Sequence, residues 1–149
     1  MARPGSVILS QTAIYALRAT LWLADQEPAV RLRVDDIAEQ LDVPRNYLSK
    51  ILHTLARAGI LTSTRGPGGG FQLARPAPDL MLAEVVERFD QLPEESGCLL
   101  GRRECSDRDP CAAHEQWKGV SSSVKDFFRR TSIADLSREH ALPHTHDTR

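Results

Sequence analysis

Residues 34–74 read VDDIAEQLDVPRNYLSKILHTLARAGILTSTRGPGGGFQLA, and the order of signals in this stretch decides the fold. Asp35 and Asp36 favour a helix N-terminus, and Ile37, Ala38 and Leu41 give the short segment VDDIAEQL an apolar face. Pro44 suits the first position of the next helix, RNYLSKILHTLARAG, in which Leu48, Ile51, Leu52 and Leu55 recur at helical spacing. Gly59 is a natural residue just past its end. Two short helices joined by the tight LDVP connection read as a helix-turn-helix. Residues 60–64 (ILTST) then have strand character, residues 65–70 (RGPGGG) form a turn, and residues 71–74 (FQLA) form a second strand, which together make a β-hairpin wing.

A glycine-rich loop can also cradle a nucleotide phosphate. Here it lies between two strands and lacks the following helix whose N-terminus would hold that phosphate. A hairpin tip with no partner is the plainer reading, but its place directly after a helix-turn-helix favours double-stranded promoter DNA. The helix that opens at Arg45 would enter the major groove, with Arg45, Asn46, Ser49 and Lys50 as candidate base readers and Tyr47 able to donate its hydroxyl to a phosphate. His53 and Arg57 lie further along and reach backbone or solvent. In the wing, Gly66, Gly68 and Gly69 allow close backbone approach, and Arg65 can reach a phosphate or the narrow minor groove. Each of these side chains could also belong to a solvated helix face, since most protein–DNA hydrogen bonds go to phosphate and sugar.

Working outward, Ser10 caps the amphipathic segment QTAIYALRATLWLA on the N-terminal side. On the C-terminal side, Pro76 and Pro78 precede a fourth short helix, MLAEVVERFD, with Leu82, Val85, Val86 and Phe89 apolar. Residues 91–110 have loop composition, and a longer helix follows Pro110. Along it Trp117, Val120, Val124, Phe127 and Phe128 form a stripe with three- and four-residue steps, the pattern of a dimer seam or of packing within the monomer. A homodimer would present two reading helices and two wings to a pseudo-palindromic site.

The expected architecture is mainly α with a small β-hairpin wing (α+β): a winged helix-turn-helix domain plus a long C-terminal dimerisation helix. Residues 1–75 would be the DNA-binding domain, 76–90 a connecting helix, 91–114 a metal-binding loop, 111–137 the dimerisation region and 138–149 a disordered tail. The tail carries His140, His144 and His146, which could form an accessory metal site, but with nothing nearby to pack them a disordered polar tail is the expected reading.

All three cysteines, Cys98, Cys105 and Cys111, fall within fourteen residues, with His114 three positions after the last. The pattern C-x6-C-x5-C-x2-H offers three thiolates and an imidazole, a donor set suited to zinc or a small iron–sulfur cluster. Buried thiols acting as small apolar side chains are the competing reading. An odd count leaves one thiol over in any intrachain disulfide scheme.

Composition bounds the remaining classes. With 149 residues, 41% hydrophobic and 26% charged, the chain reads as an ordinary soluble protein. Its apolar stretches fall far short of the ~20 residues that cross a bilayer, and MARPGSVILS has no extended apolar region of the secretory type, so a cytoplasmic location is expected. The net charge of −1 conceals an asymmetry: residues 1–75 carry nine Lys or Arg against six Asp or Glu, and the remainder ten against fourteen. A basic half beside an acidic half suits a nucleic-acid reader joined to a regulatory element. No nucleophile–base constellation points to an enzyme, and no small-molecule substrate is expected.

Together these residues resemble the IscR-like winged-helix regulators, a family that includes regulators of iron–sulfur cluster assembly and nitric-oxide-sensing repressors. The resemblance spans roughly residues 8–137. It is carried by Tyr15-Ala16, by DIAEQLDVPRNYLSKIL, by RGPGGGF, and by the cysteine loop followed by Trp117. It implies a homodimer with crossed C-terminal helices, the cluster loop of one subunit lying near the DNA-binding domain of the other. It also implies a cluster whose loss, oxidation or modification alters DNA affinity or sequence choice.

Family members with a [4Fe-4S] cluster can use an acidic residue just before the first-helix tyrosine. Ile14 stands there in this chain and cannot ligate. His114 matches the position used by members that hold [2Fe-2S] through three cysteines and a histidine, which makes [2Fe-2S] on Cys98, Cys105, Cys111 and His114 the expected cofactor, with [4Fe-4S] or zinc as alternatives. The first gap is six residues where five is the familiar spacing. Zinc sites generally bring ligands in close pairs such as C-x2-C, whereas gaps of six and five suit a loop wrapped over a cluster. An iron–sulfur electron carrier or cluster-transfer protein is the alternative outside this class, although it would need neither reading helix nor wing.

Overall fold

The structure is a computed structural model, which describes residues 8–92, 99–100 and 106–137. The first helix, α1 (Gln11–Ala24), starts where the Ser10 hydroxyl accepts from the Ala13 N–H at 3.2 Å. It buries Ala13, Ala16 and Ala19, whose small side chains let neighbouring helices approach closely. Thr20 is also buried and satisfies its hydroxyl on the Ala16 carbonyl at 2.8 Å.

The helix-turn-helix consists of α2 (Val34–Leu41) and α3 (Arg45–Arg57). Asp42 turns the chain between them in the left-handed region at φ 53°, which a short polar side chain tolerates. Pro44 differs from expectation by one position. Its ψ of 129° is not helical, so it caps α3 from outside while its carbonyl accepts the Leu48 N–H at 2.9 Å.

The wing strands are β1 (Leu61–Thr64) and β2 (Gly70–Leu73), antiparallel with Leu61 opposite Leu73 and Thr64 opposite Gly70. Leu32, in the connection between α1 and α2, adds an antiparallel bridge to Phe71 through two backbone hydrogen bonds of 3.0 and 2.8 Å. The root of the wing is thereby tied to the helical body, which no local sequence signal announces.

After a 3-10 turn at Ala77–Asp79, the fourth helix is shorter than expected: α4 covers Leu82–Val86, and residues 87–89 form a turn. The Asp90 carboxylate just beyond accepts the Ser10 N–H at 2.7 Å, joining this turn to the start of α1. The long helix α5 (His114–Arg130) begins three residues after Cys111, so Cys111 precedes the helix rather than opening it. A break at Thr131 and Ser132 leads into α6 (Ile133–Leu136), where the Ser132 hydroxyl and Asp135 carboxylate exchange a capping box with the backbone. Met81 and Ser132 form a bridge, Leu82 N–H donates to Thr131 O at 2.9 Å and Ile133 N–H donates to Leu80 O at 2.8 Å. The C-terminal end of α5 is thus anchored to the winged body.

One buried cluster unites these elements. It includes Ile37, Leu48, Leu52, Leu55, Ile60, Leu80, Val85, Val86, Phe128 and Ile133. Each fully buried side chain of Leu or Ile size contributes about 1.5–3 kcal/mol through removal of apolar surface from water. No described helix is long and apolar enough to cross a membrane.

Candidate nucleic-acid interface and metal loop

Burial of Leu48, Ile51, Leu52 and Leu55 against the core fixes which side of α3 meets solvent. Asn46, Lys50, His53 and Arg57 follow at alternating four- and three-residue steps and are all exposed, with Ser49 half-buried beside them. His53 and Arg57 therefore continue the row begun by Asn46 and Lys50. The His53 ring also meets the Phe71 ring edge-on, with centroids 5.4 Å apart, so it braces α3 against β2 of the wing.

Arg45 and Tyr47 flank that row and both have partners. Arg45 donates from Nε to Asp35 Oδ1. The Tyr47 hydroxyl is hydrogen-bonded to Thr12 Oγ1, and its ring meets Tyr15 edge-on at 5.9 Å. Tyr47 thus joins α3 to α1 as well as reaching the surface.

At the wing tip Arg65 is exposed, and Gly66 and Gly68 take φ of 88° and 72°. Gly69 has a stricter reason to be glycine. A Cβ there would lie 2.3 Å from the Thr64 carbonyl oxygen, and its N–H closes the turn on Gly66 O at 2.9 Å. Arg33, Asp35, Arg45, Thr64, Gly66 and Gly69 line one concave patch between the start of α3 and the wing tip.

Of the four expected ligands, Cys98 and Cys105 lie outside the described residues. Cys111 is half-buried and is not in a disulfide. His114, the first residue of α5, is 4% exposed, and its backbone N–H donates to Cys111 O at 3.1 Å. Its Nε2 donates to Asp107 Oδ1 at 2.8 Å, and Lys118 Nζ donates to the same oxygen at 2.8 Å. Hydrogen bonds from Lys118 and then His114 hold the Asp107 carboxyl below its ordinary value. Asp107 has no spacing rule to reveal it in the sequence, whereas Lys118 stands one helical turn after His114 and was open to detection. Among the described residues no group of three or more His, Cys, Asp or Glu side chains could hold a metal. The donor chemistry still fits a small cluster, because a thiol and an imidazole stand three residues apart at the start of α5, joined by a backbone hydrogen bond.

The five-residue α5 stripe divides. Phe128 is 6% exposed in the monomer core, and Val124 packs partly against it. Val120 and Phe127 are 54% and 50% exposed, and Trp117 is half-buried.

Comparison with known proteins accords with this architecture. A helix-turn-helix-type transcriptional regulator assigned by inference in Aquifex aeolicus is 34% identical over 142 residues, covering 92% of this chain and 98% of the relative. The regulator IscR of Escherichia coli is 28% identical over 145 residues, covering 93% and 89%. The structure of CymR, the global cysteine regulator of B. subtilis, superposes with a TM-score of 0.75 at 20% identity over 89% of this chain and 97% of that one, which shows the shared fold. Residues 9–139 match the Rrf2 family, described as iron-dependent transcriptional regulators. The chain belongs to the Rrf2 family as an IscR-like, DNA-binding transcriptional regulator and not an enzyme.

Proposed function

We propose that this regulator acts in the cytoplasm as a homodimer on double-stranded promoter DNA, and that it reports redox, iron or nitric-oxide status through a [2Fe-2S] cluster held by Cys98, Cys105, Cys111 and His114. The observation that carries the reading is the buried His114, three residues after Cys111, with its ring nitrogen bonded to a carboxylate. With Nε2 bonded to Asp107, Nδ1 is the nitrogen that would ligate, in the pattern of a metal-bound histidine whose other ring nitrogen is held by a carboxylate. Asp107, itself held by Lys118, orients the ring. When bound, such a cluster supplies a centre that can change charge or be lost. The thiolates of Cys98, Cys105 and Cys111 would hold it, and α5, which follows Cys111, packs on α4 and brings Val124 and Phe128 to the core.

Residues 1–75 serve as the DNA reader, residues 91–114 as the sensor segment and residues 111–137 as the assembly element. Arg45, Asn46, Ser49 and Lys50 address bases, while Tyr47, Arg65 and the backbone of Gly66, Gly68 and Gly69 approach phosphate or the minor groove. Exposed Val120 and Phe127, with Trp117, supply the dimer seam. A structural zinc site on the same ligands is the alternative, because zinc accepts the same donor types.

Purification without oxygen should yield a coloured protein with visible absorbance, and iron and sulfide analysis with native mass spectrometry should give two of each per chain. A colourless protein with stoichiometric zinc would overturn the reading. Cys105→Ala should abolish the colour and change DNA affinity while leaving the far-ultraviolet circular dichroism of the winged domain intact. His114→Ala should accelerate iron loss.

A further inference from the structure

Asp35 lies in the first turn of α2, and Arg45 opens α3 ten residues later. Both side chains of this pair stay largely in water, at 59% exposure for Arg45 and 66% for Asp35. An exposed pair contributes little to stability, because solvent screens it and two side chains must be held still. Its position is more informative. Both residues line the concave patch shared with Arg33, Thr64, Gly66 and Gly69, on the side where a duplex would lie between reading helix and wing. A carboxylate on that side opposes phosphate; the N-terminus of α2 favours a negative charge at Asp35 but does not account for its bond to Arg45.

Guanidinium geometry supplies one. The group carries five N–H donors in a rigid plane. An acceptor at Nε occupies the side edge, whereas Nη1 and Nη2 present an end-on fork that matches O6 and N7 of guanine. An arginine already tethered by its inner nitrogen loses less rotamer freedom when that fork engages a base.

We propose that Asp35 is a positioning residue for base reading, which holds Arg45 through Nε so that its outer edge addresses one guanine in the major groove. Its charge also works against DNA that offers no acceptor pair to the fork. The inference rests on Arg45 being a base reader, and the test separates the two.

The full chain selects a duplex from a randomised pool, and affinities are then measured for that duplex, for its single-base variants and for an unrelated duplex of equal length. Arg45→Ala should cut discrimination at one base pair by about tenfold. Asp35→Ala should cut it at the same base pair by about three- to fivefold, yet raise affinity for the unrelated duplex by about twofold because a negative charge has gone. Adding Asp35→Ala to Arg45→Ala should cost no further discrimination. Asp35→Asn, which keeps the side-chain shape, should likewise raise affinity for the unrelated duplex, and so checks the charge effect should the alanine variant fold poorly. A purely structural role would instead weaken binding to every duplex alike, and that result overturns the proposal. Arg45→Ala with unchanged discrimination removes the base-reading role of Arg45 and the role of Asp35 with it. Reduced discrimination in Arg45→Ala alone, with Asp35→Ala unchanged, overturns only the positioning role.

Discussion

Arg65 stands at the exposed tip of the wing, where β1 gives way to the glycine turn. On the proposed reading a cation there acts on phosphate or the narrow minor groove, and phosphate contacts carry the salt dependence of binding. Arg65→Ala should weaken binding to all duplexes and lower the slope of log affinity against log salt by about one, read from titrations over a salt series. An unchanged slope would mean that Arg65 touches no phosphate. At this scale the sequence was legible where chemistry is local. RGPGGG announces a turn because few residues other than glycine fit it, and the steric need at Gly69 confirms that reading. The partners of Arg45, Tyr47 and His114 were not legible, because Thr12 is brought to Tyr47 by the packing of α1 on α3, while Asp35 and Asp107 reach Arg45 and His114 over separations of ten and seven residues whose closure no spacing rule announces.

Among the elements, α4 shows how a short helix is held at its N-terminus. The Glu84 carboxylate accepts the Met81 N–H at 2.9 Å and Arg75 Nη2 at 2.7 Å. Burial pushes the Glu84 carboxyl up, but the Met81 hydrogen bond and the Arg75 guanidinium outweigh it and leave the group below its ordinary 4.5. A carboxyl depressed in the folded state contributes stability that is present above its unfolded value and lost as pH falls through the folded one. Thermal melts should therefore show Glu84→Gln less stable than the parent at neutral pH, with the difference shrinking below about pH 4.5. A constant difference across that interval would exclude the linkage. The helices of the reading unit follow their apolar periodicity closely. The end of α4 does not: the chain turns at residues 87–89, and Asp90 just beyond bonds to Ser10, a contact eighty residues apart in the chain.

For the whole molecule, the question is which faces of α5 belong to the monomer. Phe128→Ala empties a core position and should lower the free energy of unfolding by about 3–5 kcal/mol, measured by chemical denaturation. Phe127→Glu should leave helix content near that of the parent and shift sedimentation from dimer to monomer, as expected if the exposed aromatic lies at the proposed seam. A dimer that survives this substitution would place the seam elsewhere. By itself the sequence determined the helix-turn-helix, the wing and the clustering of three cysteines with a histidine, since periodicity, capping and turn chemistry act over a few residues. Only the tertiary structure decided that Leu32 ties the wing to the body, that the aromatic stripe divides between core and surface, and that Asp107 holds His114. The physical reason is that a periodic pattern tells which face of an element is apolar, whereas the surface that covers it depends on how distant segments close upon one another.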